Sequence, residues 1–265
     1  MLKVAVVGGG PAGVACASLL KRYDVDVTIY EKKAIGGLIE NAWYVENFPL
    51  VEPASGMELA KKLRSIVYEN DISVVFDEVL AVRENELIGK NGSYNADVIV
   101  LATGTLPRRI IDFEVSDKVV YEYRDLPKNI KRLAIYGGGD VAFDGAIRAT
   151  LDGIKTTVFV RGNSVKAVPK LVQIADKIGI EVKRNNTIRN VVDVKEGVKI
   201  TIDQENFIFD ALLIAIGREV ALPVIENAQN LCIIGDAAHV DFRQSSIAIG
   251  DGIKCAMEIV QRWKR

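Results

Sequence analysis

A short pattern of strand, glycine-rich turn and helix occurs twice in this sequence, and it limits the possible folds more than any other feature. The segment KVAVVGGGPAGVA, near residue 3, returns as RLAIYGGGDVAFD near residue 132. A second pair of segments, ADVIVLATG and FDALLIAIG, ends at Gly104 and Gly217. Each half of the chain therefore begins with a strand, a turn and a helix, and closes with an apolar strand that leads into a glycine.

Apolar runs alternate with helical stretches between these repeated segments. The shorter candidate strands are DVTIYE, ISVVFD, TTVFVR, IEVKR and VKITID. Runs rich in Val and Ile indicate parallel sheets that are buried on both faces. We therefore predict an α/β fold with two Rossmann-like dinucleotide-binding domains, each a three-layer unit with a parallel sheet, the second inserted in the first.

The last segment of the chain resembles the opening of neither half. It has the pattern of a strand, a loop and a final helix: LCIIGDAAHVDFRQSSIAIGDGIKCAMEIVQRWKR. The simplest explanation is that it returns to complete the first domain. We expect a discontinuous first domain, residues 1–105 plus 218–265, and an inserted second domain, residues 106–217.

The charge balance excludes several classes of partner. The chain has 34 basic and 35 acidic side chains, so it offers no basic field to nucleic acid or to an anionic membrane. Residues 4–20 carry no charge, but the glycines and the proline in their middle would break a spanning helix. We expect no membrane span and a cytoplasmic location.

The first glycine turn, Gly8-x-Gly10-x-x-Gly13, lies between a strand and a helix. In this pattern the first glycine permits a tight turn, the second lets the backbone approach a pyrophosphate, and the third lets the helix pack closely on the strand. Glu31, 18 residues past Gly13, ends the next strand and can accept both hydroxyls of an adenosine ribose. The turn therefore predicts a ligand with a free ribose, such as FAD; the alternative is an ordinary glycine-rich turn.

The second glycine turn, Gly137-x-Gly139-x-x-Ala142, has no acid at the equivalent distance. Val160 stands there and Arg161 follows it. The cations of Arg161 and Lys166 suit a 2′-phosphate, which favours NADPH; the alternative is that both are solvated loop residues. Gly162 weakens the preference, so NADH remains possible.

Several motifs, taken in order, resemble those of the thioredoxin-reductase-like flavoproteins. They are GGL…YVENFP (36–49), ATG (102–104), GGGDVA (137–142) and IGDAAH…FRQ…IGDG (234–252). The resemblance runs along essentially the whole chain. It implies FAD in the discontinuous domain, NAD(P)H in the inserted domain and, as a rule, a homodimer.

The resemblance also implies which residues contact the cofactors. On the FAD side these are Gly8, Gly10, Pro11, Ala12, Gly13, Glu31, Lys32, Gly37, Leu38, Asn47, Val79, Thr103, Gly104, Gly235, Asp236, Arg243, Gln244 and Ser245. On the NADP side they are Gly137, Gly139, Asp140, Val141, Arg161 and Lys166. Asp236 follows a buried apolar strand, where the sugar hydroxyls of the ribityl chain would supply the partners that a carboxylate needs. The alternative for Asp236 is a helix or turn cap.

Thioredoxin reductases carry a redox C-x-x-C before the second glycine turn, whereas this chain has VVYEYRDL there. Tyr121 and Tyr123 stand about where the cysteines would be and, with Asn47, are the candidates for residues beside the flavin. Ferredoxin/flavodoxin–NADP reductases of the same fold also lack the dithiol and have a similar Y-x-x-D-L. Those relatives typically cover the flavin with a C-terminal extension. This chain ends at Arg265, directly after the last predicted helix, so we expect an open acceptor side.

The remaining candidates have simpler explanations. His239, the single histidine, can protonate a reduced flavin or an acceptor, but a loop or interface role is the favoured explanation. Trp43 and Tyr44 are either flavin walls or ordinary core aromatics. The three cysteines form no C-x-x-C, and we expect Cys16, Cys232 and Cys255 to be packing residues.

The sequence thus predicts an FAD-dependent NAD(P)H oxidoreductase. The hydride would pass from NADPH to flavin and on to ferredoxin or flavodoxin, a quinone or oxygen, without a redox dithiol. We expect neither a catalytic triad nor a metal site, because the cofactors perform this chemistry. Two alternatives stay open: a non-catalytic dinucleotide-binding redox sensor, and a thioredoxin reductase with an unrecognised arrangement of thiols.

Overall fold

The computed structural model describes residues 1–49, 51–239 and 241–263, so Arg265 lies outside the described residues. The helices are α1 Pro11–Lys21, α2 Gly56–Glu69, α3 Asp140–Leu151, α4 Pro169–Lys177 and α5 Ser245–Trp263. The strands of the first half are β1 Lys3–Val7, β2 Asp26–Glu31, β3 Ser73–Phe76, β4 Val79–Arg83, β5 Glu86–Gly89, β6 Ser93–Asn95, β7 Val98–Leu101 and β8 Thr105–Pro107. Those that follow are β9 Val119–Val120, β10 Arg132–Tyr136, β11 Lys155–Val160, β12 Glu181–Arg184, β13 Ile188–Val194, β14 Gly197–Ile202, β15 Glu205–Phe209, β16 Ala211–Ile214, β17 Arg218–Val220, β18 Val224–Glu226 and β19 Leu231–Ile233.

The chain folds into two compact units. The first consists of Met1–Glu40, Val45–Leu106 and Glu219–Arg265, and the second of Asn41–Tyr44 and Pro107–Arg218. The predicted fold class, two Rossmann-like units with the second inserted in the first, is confirmed.

The first unit is built on the parallel sheet β19-β7-β1-β2-β3. Its central strands β1 and β7 are almost entirely buried, which explains their unbroken Val, Ile and Ala runs. The edge strand β19 comes from the end of the chain and pairs with β7, so the last segment does complete this sheet. Helix α1 packs against α5, and the close approach depends on Gly252: a Cβ there would lie 2.2 Å from the carbonyl oxygen of Ala12.

The second unit repeats this arrangement in the parallel sheet β12-β11-β10-β16-β9. Strands β10, β11 and β12 correspond to β1, β2 and β3, and β16 corresponds to β7. The fifth strand differs in origin, since β9 precedes the second glycine turn whereas β19 follows the insertion. The internal repeat in the sequence is therefore a repeat of the sheet.

Each unit also contains a small sheet that was not predicted; the candidate strand VKITID, which was expected in a parallel sheet, lies instead in the antiparallel strand β14. In the second unit β13, β14 and β15 form an antiparallel sheet. In the first unit β4, β5 and β6 are antiparallel, with β18 added in parallel to β4. Most of these strands contain exposed residues, as in Ile188–Val194, where only Ile188 and Val191 are buried, so they lack the continuous apolar signal of the large sheets.

Residues 41–44 belong with the second unit because their polar groups are bonded there. The side-chain amide of Asn41 donates to Glu122 at 2.8 Å, and the backbone carbonyl of Asn41 accepts from Arg148 at 3.1 Å. The backbone N–H of Trp43 donates to Asp144 at 2.8 Å. Across the part of the chain that the structure describes, no helix is long and apolar enough to cross a membrane.

Candidate dinucleotide sites

The first glycine turn is held by its neighbouring strands. The N–H of Gly8 donates to the carbonyl of Tyr30 at 2.8 Å, and Gly8 adopts a φ of +108°. A Cβ on Gly8 would lie 2.3 Å from the carbonyl oxygen of Ala102, and a Cβ on Gly13 would lie 1.9 Å from the oxygen of Gly8. Both positions therefore require glycine for steric reasons.

The second glycine turn is built in the same way. The N–H of Gly137 donates to the carbonyl of Phe159 at 3.0 Å, and a Cβ on Gly137 would lie 2.2 Å from the carbonyl oxygen of Ala215. Only the third position differs, since Ala142 is fully buried where the first turn has Gly13. The second turn leaves room for one methyl group between helix and strand.

The second glycine of each motif, Gly10 or Gly139, faces open space. A Cβ on Gly139 would meet no described atom within 4 Å. A Cβ on Gly10 would have its nearest neighbour, the Cα of Gly37, at 4.0 Å. Packing within the units therefore does not require glycine here. A close approach of the protein backbone to the pyrophosphate of a ligand explains the glycine.

Glu31 is buried at the end of β2 and faces the first turn. Its Oε2 accepts the N–H of Gly9 at 2.7 Å, and its Oε1 accepts the N–H of Lys33 at 2.8 Å. These bonds fix the carboxylate beside the glycine turn. Each carboxylate oxygen can accept further hydrogen bonds, so the group can still bind ribose hydroxyls.

Thr103 carries an unsatisfied polar atom next to this turn. Its Oγ1 is buried and has no hydrogen-bond partner among the described residues. A Cβ on Gly8 would lie 3.3 Å from the Cα of Thr103, which places the residue at the turn. Gly104 follows with a φ of +68°. Because buried hydroxyls are normally bonded, an unpaired one at this position fits a site that a polar ligand completes.

Gly235 and Asp236 form a 3₁₀ turn, Gly235–Ala237, after β19. The N–H of Gly235 donates to Asp251 at 3.2 Å, and His239 Nε2 lies 2.9 Å from the same carboxylate. A Cβ on Gly235 would lie 2.8 Å from the Cβ of Ala12, so this turn packs on the start of α1. Asp251 was not among the predicted site residues. The signal that marks it is its place in the quoted IGDG motif.

The structure brings Asn47 and Gln244 into direct contact. The Asn47 amide donates to Gln244 Oε1 at 2.5 Å. Arg243 is exposed beside them, and Ser245 is the first residue of α5.

The other predicted FAD contacts of the first unit occupy several elements. Lys32 forms a long ion pair with Glu78, with 3.9 Å between Nζ and Oε1. Leu38 lies in the 3₁₀ turn Gly37–Asn41, and Val79 begins β4; both are half-buried.

The cations of the second unit lie in a loop that is anchored to the glycine turn. The backbone N–H of Lys166 donates to the carbonyl of Gly138 at 2.7 Å. Arg161 directly follows Val160 at the carboxyl end of β11 and is exposed. Sequence analysis missed Arg184, which pairs in register with Val160 on the neighbouring strand β12. Because registered residues of parallel strands share a face, Arg184 belongs to the same face as Val160.

Asp140 and Val141 begin α3 beside this loop. The Asp140 carboxylate accepts the N–H of Val168 at 2.8 Å, which fixes the far end of the loop. The Val141 side chain is about half exposed, at 49%. Both residues therefore lie where a ligand at the helix N-terminus would be in reach.

Tyr121 and Tyr123 are held by contacts within the second unit. The Tyr121 hydroxyl donates to Glu114 at 2.9 Å and accepts the N–H of Ile110 at 2.9 Å. The Tyr123 hydroxyl donates to Asp152 at 3.0 Å, and the guanidinium of Arg148 lies 4.3 Å from its ring centre. Burial raises the pKa of Tyr123, so its hydroxyl stays protonated. A position beside the flavin stays a prediction for both rings.

Asp144 is a half-buried carboxylate of α3 whose pKa is shifted. Burial raises its pKa to about 6, although the N–H of Trp43 donates to it. Trp43 itself packs on the apolar core of the second unit, and the ring of Tyr44 lies 5.7 Å from it. These contacts favour a structural role for the two aromatic residues.

Two dinucleotide-type glycine turns, each at the carboxyl edge of a parallel sheet, define an NAD(P)H oxidoreductase with one nucleotide unit inserted in another. The family described as pyridine nucleotide-disulphide oxidoreductase matches residues 2–261. The chain therefore belongs to that family.

Similar proteins include reductases with different acceptors. The ferredoxin–NADP reductase of Ignicoccus hospitalis is 28% identical over 72% of this chain and 67% of its own length. The thioredoxin reductase of Ureaplasma parvum is 27% identical over 95% of this chain and 94% of its own. The crystal structure of Lactococcus lactis thioredoxin reductase superposes with a TM-score of 0.88 at 21% identity, covering 98% of both chains, which shows the shared fold.

Proposed function

We propose that this protein is an FAD-dependent, NADPH-preferring oxidoreductase that delivers electrons to its acceptor without a dithiol of its own. The observation that carries the proposal is the pair of glycine turns, which have matching hydrogen bonds and matching open space beside Gly10 and Gly139. A protein that binds a single nucleotide has no use for the second turn. The proposed FAD domain is residues 1–105 plus 218–265, and the proposed NAD(P)H domain is residues 106–217.

The residues of the first unit fit FAD. Gly10 leaves space for a pyrophosphate, Glu31 offers a fixed carboxylate to the ribose, and Thr103 Oγ1 lacks a partner among the described residues. Asp236 would bind the ribityl hydroxyls, as the family resemblance implies. When bound, FAD accepts a hydride from the nicotinamide and passes the electrons on, so the protein needs only to bind and orient both cofactors.

The residues of the second unit fit NADPH. Val160 replaces the acid that would bind a free 2′-hydroxyl, and Arg161 and Lys166 flank the loop fixed to Gly138. Arg184, which pairs in register with Val160, adds a third cation on the same face of the sheet. A 2′-phosphate gains charge-assisted hydrogen bonds from such cations, whereas NADH offers them nothing.

The proposed lack of a dithiol rests on the sequence before the second turn. Tyr121 and Tyr123 stand there, and their hydroxyls are bonded to Glu114 and Asp152. The three cysteines all lie in the first unit and are not spaced as C-x-x-C. Electrons would therefore leave directly from the flavin.

An anaerobic reduction experiment tests the proposal. The purified protein should be yellow, and NADPH should bleach its flavin absorbance without oxygen. Gly139→Val is the matched control, because the site is open and Gly139 has an extended backbone that valine can adopt. This variant should remain yellow and be bleached by dithionite but not by NADPH.

The acceptor is then identified with a panel of ferredoxin, flavodoxin, a quinone, ferricyanide, thioredoxin disulfide and oxygen. Turnover with NADPH and ferricyanide, without turnover of thioredoxin disulfide, is the expected result. Colourless protein that takes up no FAD on titration would contradict the proposal. Protein that is yellow yet is not reduced by NADPH would instead support a binding protein without catalysis.

The assembly that the resemblance implies is a homodimer. Light scattering coupled to gel filtration tests it directly, and a monomer at micromolar concentration would contradict it. The cytoplasmic location stays a prediction from sequence.

A further inference from the structure

The short turn after β19 is tied at both of its ends to one carboxylate of α5. Asp251 Oδ2 accepts the backbone N–H of Gly235 at 3.2 Å and lies 2.9 Å from Nε2 of His239. Gly235 begins the 3₁₀ turn, and His239 lies just past its end. The Asp251 carboxylate therefore bridges the two ends of residues 235–239, the 235–239 turn.

The 235–239 turn is also closed by its own backbone. The N–H groups of Ala238 and His239 both donate to the carbonyl of Gly235, at 2.9 and 3.2 Å. Gly235 has a φ of +66°, a conformation that favours glycine. Asp236 lies inside this closed turn, so its position depends on the contacts that fix Gly235 and His239.

Asp251 lies where α5 packs on α1. A Cβ on the next residue, Gly252, would lie 2.2 Å from the carbonyl oxygen of Ala12. The turn packs at the same place, because a Cβ on Gly235 would lie 2.8 Å from the Cβ of Ala12. Ala12 belongs to the first glycine motif. The 235–239 turn, α5 and the glycine motif therefore meet at one point of the first unit.

Helix formation does not explain an aspartate at position 251. Asp251 lies inside α5 between two glycines, Gly250 and Gly252. Aspartate is less favourable than alanine in a helix interior, and glycine is less favourable still. Asp251 also lies beyond the first turn of α5, so its interaction with the helix dipole contributes little. The contacts with the 235–239 turn account for the carboxylate instead.

We propose that Asp251 is a positioning residue for FAD, which holds the 235–239 turn in place before the cofactor binds. The inference rests on the proposed function, in which Asp236 binds the ribityl hydroxyls. A loop that is already ordered loses less conformational entropy on binding, so the affinity for the ligand is higher. Asp251 needs no contact with FAD to have this effect.

The first test needs no cofactor. Amide hydrogen exchange is measured by mass spectrometry on the FAD-free full chain, in a peptide that contains residues 235–239. Asp251→Ala should make the amides of this turn exchange about 10-fold faster, because the bridge that limits local opening is removed. Asp251→Asn keeps an acceptor of the same shape and should change the exchange by about 3-fold or less.

The second test separates the two halves of FAD. The Kd for FAD is measured by fluorescence titration, and ADP, the half that lacks the ribityl chain, is measured by competition against FAD. Asp251→Ala should raise the Kd for FAD about 10-fold and leave the inhibition constant of ADP within about 2-fold. Asp251→Asn should raise the Kd for FAD by about 3-fold or less. Asp241→Ala removes an exposed carboxylate just past the turn and is the control, which should change neither constant.

Two outcomes with Asp251→Ala would overturn the proposal. One is an unchanged affinity for FAD, whether or not the exchange becomes faster. The other is an equal loss of affinity for FAD and ADP, because a general disturbance of the first unit weakens both. His239→Ala removes the other end of the bridge and provides the same comparison if Asp251→Ala does not fold. Parent protein that takes up no FAD would contradict the proposed function, and the exchange experiment would still decide whether Asp251 holds the turn.

Discussion

The side-chain amide of Asn47 donates a 2.5 Å hydrogen bond to Oε1 of Gln244, across 197 positions of sequence. Asn47 belongs to the part of the first unit that precedes the insertion, and Gln244 to the part that follows it. The contact therefore joins the two halves of a discontinuous unit. Both residues were independently predicted as flavin contacts, so their meeting supports one site built from both segments.

The third position of each glycine turn gives a matched pair of mutations. Gly13→Ala should lower the free energy of unfolding by about 3 kcal/mol or more, because its Cβ would lie 1.9 Å from the Gly8 carbonyl oxygen. Ala142→Gly at the equivalent position creates no clash and should cost only about 1 kcal/mol, the usual helix penalty of glycine. Urea unfolding of both variants checks this. Equal losses would mean that the two turns differ from the geometry described.

Glu31→Gln tests the proposed ribose contact with little change in shape. The amide can accept from one of the two backbone N–H groups that the carboxylate now bonds, but it loses the charge. We expect FAD affinity to fall by roughly 2–4 kcal/mol, about 30-fold to 1000-fold, through weaker charge-assisted hydrogen bonds. Fluorescence titration of the FAD-free protein measures the change. Unaltered affinity in a folded variant would remove Glu31 from the site.

The nucleotide preference depends on cations near Gly138. Arg161→Ala should raise the KM for NADPH about 10-fold or more and change the KM for NADH little, since only NADPH carries the 2′-phosphate. Arg184→Ala should act in the same direction if its side chain also reaches that phosphate. Lys177→Ala, an exposed cation in the last turn of α4, is the control and should change neither constant. Equal or better use of NADH by the parent protein would contradict the preference.

The glycine turns and the large sheets were predictable because their causes are local. Gly13 is required by its contact with the Gly8 carbonyl oxygen within one strand–turn–helix segment, and continuous apolar runs mark strands buried on both faces. The antiparallel sheets were not predicted: β14 was expected as a strand of a parallel sheet, and most of their other strands are half-exposed and have a weaker signal. The hydrogen bond between the Trp43 N–H and Asp144 spans 101 positions. Such contacts depend on tertiary packing, and no local pattern reports them.

Asp144 gives the fold a specific pH dependence. Its pKa rises from 3.8 to about 6 on folding, so the folded protein binds this proton more tightly than the unfolded chain. The stabilising contribution is fully present below about pH 4 and is lost as the pH rises through 6, at most roughly 3 kcal/mol. Asp144→Asn keeps an acceptor for the Trp43 N–H and removes the titration.

We therefore expect the difference in the free energy of unfolding between parent and Asp144→Asn to change with pH. The parent should lose roughly 1–3 kcal/mol relative to the variant between pH 4 and pH 7, measured by urea unfolding. Comparison with the variant removes the contribution of the other carboxylates. A difference that is constant over this range would show that Asp144 has an ordinary pKa.

The final prediction concerns electron exit from the flavin. A disulfide reductase needs an attacking thiolate and a second cysteine that resolves the mixed disulfide. Cys16 and Cys255 are buried, and hydrogen bonding and burial raise the pKa of Cys255 to about 12, so this thiol pair suits a protein disulfide poorly. Replacing all three cysteines by alanine should leave NADPH-driven ferricyanide reduction within about 3-fold of the parent. Neither protein should reduce thioredoxin disulfide. Robust thioredoxin reduction by the parent that disappears in the cysteine-free variant would show that the cysteines themselves carry electrons.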